Sequence, residues 1–173
     1  MSDPTTVPAV DPLGIELLAD LPPDVRRLVV EAFERVDFDF GAVLMREGDP
    51  ADSYWVLSEG RVRVVRDGAD GNEVTLTTLG PGATFGEGAL LRQGARTSTV
   101  RAATPGSALR LDASVVRALA ATQPSVEQSL SRIRRRHEVG DLLRLASPLA
   151  RVAGSALPEI VDRLEPVELQ AGE

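Results

Sequence analysis

The chain has 173 residues, 43% of them hydrophobic, enough for one sizeable core but not for two domains of the usual size. It has no Cys and a single His, His137, which excludes disulfide scaffolds, thiolate centres and imidazole clusters for zinc or iron, and no metal is expected. A formal charge of −7, from 19 basic and 26 acidic groups, works against phosphate-backbone binding as the main activity, and no nucleic-acid partner is expected.

Residues 1–12, MSDPTTVPAVDP, are rich in Pro, Thr and Asp without a basic or long apolar stretch, and read as a disordered leader rather than a signal peptide. No apolar run approaches the ~20 residues of a membrane span, so a cytoplasmic location is expected. Residues 13–20 and 22–36 carry helical signals: Pro22 and Pro23 can open a first turn, Asp24 favours the N-terminal dipole, and Val25, Leu28, Val29, Ala32 and Phe33 recur at helical spacing. From 36 to 111 the pattern changes to alternation, as in Val36/Phe38/Phe40, Val62/Val64 and Val74/Leu76, with each run ended by Gly, Asp or Pro. Some seven or eight short strands result, the number a small closed or rolled sheet requires. Asp112 is placed to cap a helix carrying Val115, Val116 and Leu119. Pro124 starts another, in which Val126, Leu130, Ile133 and His137 form one stripe. Arg132, Arg134, Arg135 and Arg136 cover most of the remaining surface of that helix and read as a solvated face.

The tail repeats an earlier segment. Residues 160–173, IVDRLEPVELQAGE, align without a gap to residues 29–42, VVEAFERVDFDFGA, with Val30/Val161, Glu34/Glu165, Val36/Val167 and Gly41/Gly172 identical. Residues 146–173 therefore read as the start of a second, truncated copy of the module.

The chemistry is concentrated in residues 85–102, FGEGALLRQGARTSTVRA. Ala89-Leu90-Leu91 after the glycines could form one helical turn with free N–H groups facing them, an arrangement suited to an anion. Arg96 offers a planar set of donors for phosphate oxygens, and Glu87, which only accepts, suits a donor such as a sugar hydroxyl. A cation beside an acceptor points to a sugar phosphate. The plain alternative is a Glu87–Arg96 salt bridge beside a glycine turn.

The wider context weighs on that choice. A helix is followed by Gly41-x-Val43-Leu44-x-x-Glu47-Gly48-Asp49, then Trp55-Val56-Leu57-x-x-Gly60-x-Val62-x-Val64, then the FGEGALL stretch and Arg96-Thr97-x-x-Val100-x-Ala102. This order and spacing strongly resemble the cyclic nucleotide-binding domain family, over about residues 13–136. The resemblance implies a mainly β fold with flanking α-helices: an antiparallel, jelly-roll-like β-roll at 36–111 and C-terminal helices at 112–145, within one domain at 13–145. It implies a cyclic nucleotide ligand, cAMP slightly favoured over cGMP, and a regulatory sensor module of a larger protein that catalyses nothing itself. By the same resemblance Glu87 and the Gly86 carbonyl would take the ribose 2′-hydroxyl, Arg96 the cyclic phosphate, and the N–H groups of Ala89 and Thr97 further phosphate contacts. Val64, Leu76 and Val74 would face the base, with core packing the equal alternative. Gly88 departs from the larger apolar residue common there, and Thr97 bears on the choice of base. The implied partners are an effector domain or second sensor repeat in the full-length chain, with a homodimer through the C-terminal helix as a further option. The stripe ending in His137 is expected to dock when the phosphate arrives, and the competing reading is a structural domain that keeps the fold without the ligand.

Overall fold

A computed structural model describes residues 15–67, 72–90 and 94–146, the last six by backbone alone. The leader and the repeated tail segment at 160–173 lie outside the described residues. A 3-10 turn, Glu16–Leu18, precedes helix α1, Pro23–Glu31, in which Pro23 sits at the first helical position and Asp24 in the first turn. The helix ends at Glu31 rather than at 36. The next five residues form strand β1, Glu34–Phe38, whose register against the chain's last strand runs from Glu34↔Arg110 to Phe38↔Gly106. Non-local pairing with β-branched Val36 at its centre overrides the helical spacing there.

The remaining strands are β2 (Val43–Met45), β3 (Ser53–Glu59), β4 (Val62–Asp67), β5 (Glu73–Leu79), β6 (Thr84–Phe85), β7 (Thr99–Ala102) and β8 (Gly106–Asp112). They form two four-stranded antiparallel sheets, β1-β8-β3-β6 and β2-β7-β4-β5. Among the described residues no ladder joins the two, so the roll is open and not a closed barrel. Gly60, at φ +84, turns β3 into β4 where a Cβ would stand 2.6 Å from the Pro105 carbonyl. Phe40, read as part of the first strand's alternation, lies past its end and is 72% exposed.

Strand β3 is buried along both faces, and it separates two cores. Trp55 and Leu57 point into the roll with Phe38, Val62, Phe85, Val100 and Ala108. Tyr54 and Val56 point the other way, toward Leu17, Leu18, Val29, Leu111, Val116, Val126 and Leu130. The second core is closed by α2 (Ala113–Thr122) and α3 (Pro124–Ala146). Asp112 caps α2 as expected, its carboxylate accepting from the Ser114 N–H at 2.7 Å. The apolar stripe of α3 needs no second chain to cover it, because Val126 and Leu130 are buried in this helix-bound core. The arginines beside it are not simply solvated: Arg136 and Arg132 reach Glu16 at 3.1 and 3.7 Å, tying α3 to the 3-10 turn, and Arg134 lies 3.9 Å from Glu138.

Candidate functional site

Strand β6 delivers the chain to Gly86 directly after Phe85, whose ring stacks on Trp55 at 5.9 Å between centroids. Gly86 has φ +89, and a Cβ there would meet Arg96 Nη1 at 2.9 Å and the Ser53 carbonyl at 3.0 Å. Only glycine allows this close approach of backbone to guanidinium. Arg96 Nη1 donates to the Gly86 carbonyl at 2.7 Å. Its Nη2 donates to the Ser53 carbonyl and Asp52 Oδ1, both at 2.8 Å, and to Ser53 Oγ at 3.1 Å. The side chain is 3% exposed. Its backbone is fixed as well, the N–H donating to Asp49 and the carbonyl accepting from Gly48.

Burial lowers the pKa of Arg96, and the adjoining Asp52 carboxylate works against that shift by favouring the charged form. Burial alone would raise Asp52, but hydrogen bonds from Ser53 and Arg96 outweigh it and hold the carboxyl below its ordinary value. Asp52 is otherwise 64% exposed and reaches Arg110 at 3.4 Å. Arg96 thus has two jobs. It presents a cation, and it also satisfies carbonyls of Ser53 and Gly86 that would be left without this donor.

Glu87 is 6% exposed in its side chain. Its Oε1 lies 2.7 Å from Nδ1 of His137 on α3, and an ionised carboxylate only accepts, so the ring nitrogen donates. Its Oε2 is buried and has no hydrogen-bond partner among the described residues. The segment that follows is a turn at Gly88–Leu90, closed by the Leu90 N–H to the Glu87 carbonyl at 3.2 Å. The expected helical turn is not assigned as helix, and its last residue, Leu91, lies outside the described residues. A Cβ on Gly88 would meet only Thr97 Oγ1, at 3.9 Å, so the departure at this position leaves open space.

Of the residues singled out in the sequence, Gly86, Glu87 and Arg96 come together. Ala89 packs half-buried against the helix-bound core. Thr97 is exposed, its carbonyl accepting from Arg66 Nε at 3.0 Å. Val64 lies half-buried on β4 against the roll interior, Leu76 is buried on β5, and Val74 is 42% exposed at the start of the same strand. These three belong to the second sheet, against whose strand β5 helix α3 lies.

Residues 35–123, which include both sheets and the whole glycine-to-arginine loop, match the model of the cyclic nucleotide-binding domain family. The chain belongs to that family. This cyclic nucleotide-binding domain is 31% identical over 111 residues to the CRP-like cAMP-activated global transcriptional regulator of Mycobacterium tuberculosis, which covers 64% of this chain and 50% of that protein. It is 36% identical over 105 residues to the acetyltransferase Pat of Mycolicibacterium smegmatis, covering 61% of this chain and 31% of Pat. The N-terminal domain of a transcriptional regulator from Streptomyces coelicolor A3(2) superposes with a TM-score of 0.60 at 31% identity, over 76% of this chain and 96% of that one. The chain thus spans half or less of the two curated relatives. One of them is a transcriptional regulator, so the charge argument against nucleic acid applies to this domain's own surface and not to a longer protein that carries it.

Three residues at the site escaped the sequence reading. Asp52 and Ser53 carry no local signature, because what selects them is the fold of β3 against the loop. His137 did carry one. It ends the stripe Val126, Leu130, Ile133, so it had to face the protein interior, and the buried group awaiting it there is Glu87.

Proposed function

We propose that this domain binds a purine 3′,5′-cyclic monophosphate, cAMP ahead of cGMP, and serves as the sensor module of a longer regulatory protein. The observation that carries the reading is the presence of a buried guanidinium and a buried carboxylate on one loop, where Glu87 Oε2 has no donor among the described residues. A buried acceptor without a partner costs about 1–3 kcal/mol, and a sugar hydroxyl is a donor that would satisfy it. Among the described residues Arg96 Nε makes none of that side chain's hydrogen bonds, which come from Nη1 and Nη2, so a phosphate oxygen can be taken without breaking the clamp on Gly86. In this reading Gly86 and Glu87 hold the ribose, Arg96 with the N–H groups of Ala89 and Thr97 holds the phosphate, and Val64 and Leu76 face the base. The preference for cAMP is supported by the cAMP-activated relative. The domain itself catalyses nothing. Its partner is an effector module or a second sensor repeat, the latter supported by the match of residues 160–173 to 29–42.

A second reading has its own observation. Arg96 and Glu87 both already have protein partners, Asp52 and His137, as they would in a domain that keeps the fold without the ligand. Titration calorimetry with cAMP and cGMP separates the two. Saturable heat with either is expected, and no heat from both up to about 1 mM ligand would leave the structural reading standing.

A further inference from the structure

We propose that Tyr54 is a second residue reading the ligand's 2′-hydroxyl, its phenol donating to the hydroxyl oxygen while Glu87 Oε2 accepts the hydroxyl proton. The inference rests on the cyclic-nucleotide reading above and deepens it, naming a specificity-determining residue outside the loop. Tyr54 is wholly buried, and its Oη makes no hydrogen bond among the described residues. Glu87 Oε2 is buried and makes none either, the other oxygen of that carboxylate being held by His137. The strands bring the two residues together. Trp55 pairs with Phe85 and Val56 with Thr84, so one further step along this antiparallel register sets Tyr54 across from Gly86, the residue before Glu87. The close approach of Gly86 to the Ser53 carbonyl agrees with that placement. Both side chains lie on the helix side of β3, Tyr54 in the core that α3 closes and Glu87 against His137 of α3 itself.

The chemistry of the two atoms selects the group that suits both. An ionised carboxylate only accepts, and a phenol that keeps its proton can donate. Burial pushes the pKa of Tyr54 up, the Thr84 side chain opposes that rise, and the charges of Glu87 and Glu16 add to it, so the phenol is protonated at neutral pH. The charge of the carboxylate thus reaches the phenol. A group that satisfies both atoms must donate once and accept once. A charged amine offers no acceptor and a carbonyl or ether offers no proton, whereas a hydroxyl does both. The pair therefore fits an alcohol, which a ribose supplies at its 2′ position and a 2′-deoxyribose lacks. A site that hydrogen-bonds a hydroxyl rejects the analogue without it, because its own buried groups are then left unpaired, and Tyr54 adds a second such group to Glu87.

The test compares cAMP with 2′-deoxy-cAMP by titration calorimetry on the full chain, for the parent and for Tyr54→Phe, which keeps the ring and removes the hydroxyl. The parent is expected to favour cAMP, and the variant to lose about fivefold of that preference, through weaker binding of cAMP with 2′-deoxy-cAMP little changed. Melting curves establish that the variant is folded. On the parent alone, cAMP should shift the near-ultraviolet band of the single tyrosine and 2′-deoxy-cAMP should not, a result that needs no variant. An equal loss for both ligands would make Tyr54 a packing residue of the core, and an unchanged preference would leave the hydroxyl to Glu87 alone. Either result overturns the proposal, as does the same tyrosine shift with both ligands. Failure of the parent to bind either ligand would overturn the cyclic-nucleotide reading itself, and the role of Tyr54 with it.

Discussion

Arg96 and Glu87 lie on one loop, but Arg96 is held by the sheet that carries the loop, through Ser53, Asp52 and the Gly86 carbonyl, whereas Glu87 is held by a helix contributed from 50 residues further along the chain. The cation's surroundings are complete within the roll. The carboxylate's surroundings exist only while α3 is docked. A site divided in this way has one end completed within the sheets and one end completed by a helix packed against them, so the two ends should respond to different mutations.

Arg96→Ala should produce the largest effect. It strips two buried carbonyls and the Asp52 carboxylate of their donor, at a cost of about 3–5 kcal/mol in stability, together with loss of measurable nucleotide binding. A thermal melt paired with calorimetry checks both. Its clamp on Gly86 and Ser53 makes a loss of binding without a loss of stability the unexpected result. Leu130→Ala attacks the other end. Truncating this buried side chain should cost about 3 kcal/mol and loosen α3, raising amide exchange across Gly86–Leu90 while leaving the Gly48–Arg96 pairing protected. Uniform loss of protection across the whole loop would show that the two ends are not independent.

The smallest effect is expected at the junction between sheet and helices. Asp112→Ala removes the cap of α2, through which α3 is connected to β8, at about 1 kcal/mol. Hydrogen bonds from the Ser114 hydroxyl and N–H hold the Asp112 carboxyl below its ordinary value. A depressed folded pKa means that its stabilisation is present above the ordinary carboxylate pKa of about 4 and is lost as pH falls through the folded value. Urea titrations should therefore separate the variant from the parent at pH 7, and the gap should close as the solution is acidified below about pH 4.

Most of the roll was legible in the residues because its signals are local. Alternating valines and Gly or Pro turns define strands wherever one face is buried, and β2 to β7 fall within the span 36–111 that the alternation marked, while β1 begins two residues before it and β8 ends one after. The end of α1 was misjudged for a non-local reason, since residues 34–36, read as its last turn, pair with β8 some 70 positions away. Strand β3 shows no clean alternation because it is buried on both faces. At the site, the loop's own residues could be named from the motif, since glycine, carboxylate and arginine are close in the chain. Asp52 could not, because only the pairing of β3 with β6 and β8 brings it under the guanidinium. His137 stood between these cases. Its position on the stripe told which way it pointed, and only the docking of α3 told what it touched.

The division of β3 between two cores has an optical consequence. The chain has one tryptophan and one tyrosine, and they are neighbours on this strand, Trp55 turned into the roll and Tyr54 into the helix-bound core. The indole N–H donates to the same Ser53 hydroxyl that accepts from Arg96, its ring stacks on Phe85 immediately before Gly86, and the Arg110 guanidinium stands 6.0 Å from its centroid. Any displacement of the Arg96 guanidinium alters the polarity around the indole, whereas α3 carries no Trp, Tyr or Phe and reaches the tyrosine's side of the strand instead. Native fluorescence and near-ultraviolet absorption thus give each half of the molecule a separate chromophore, with no label attached.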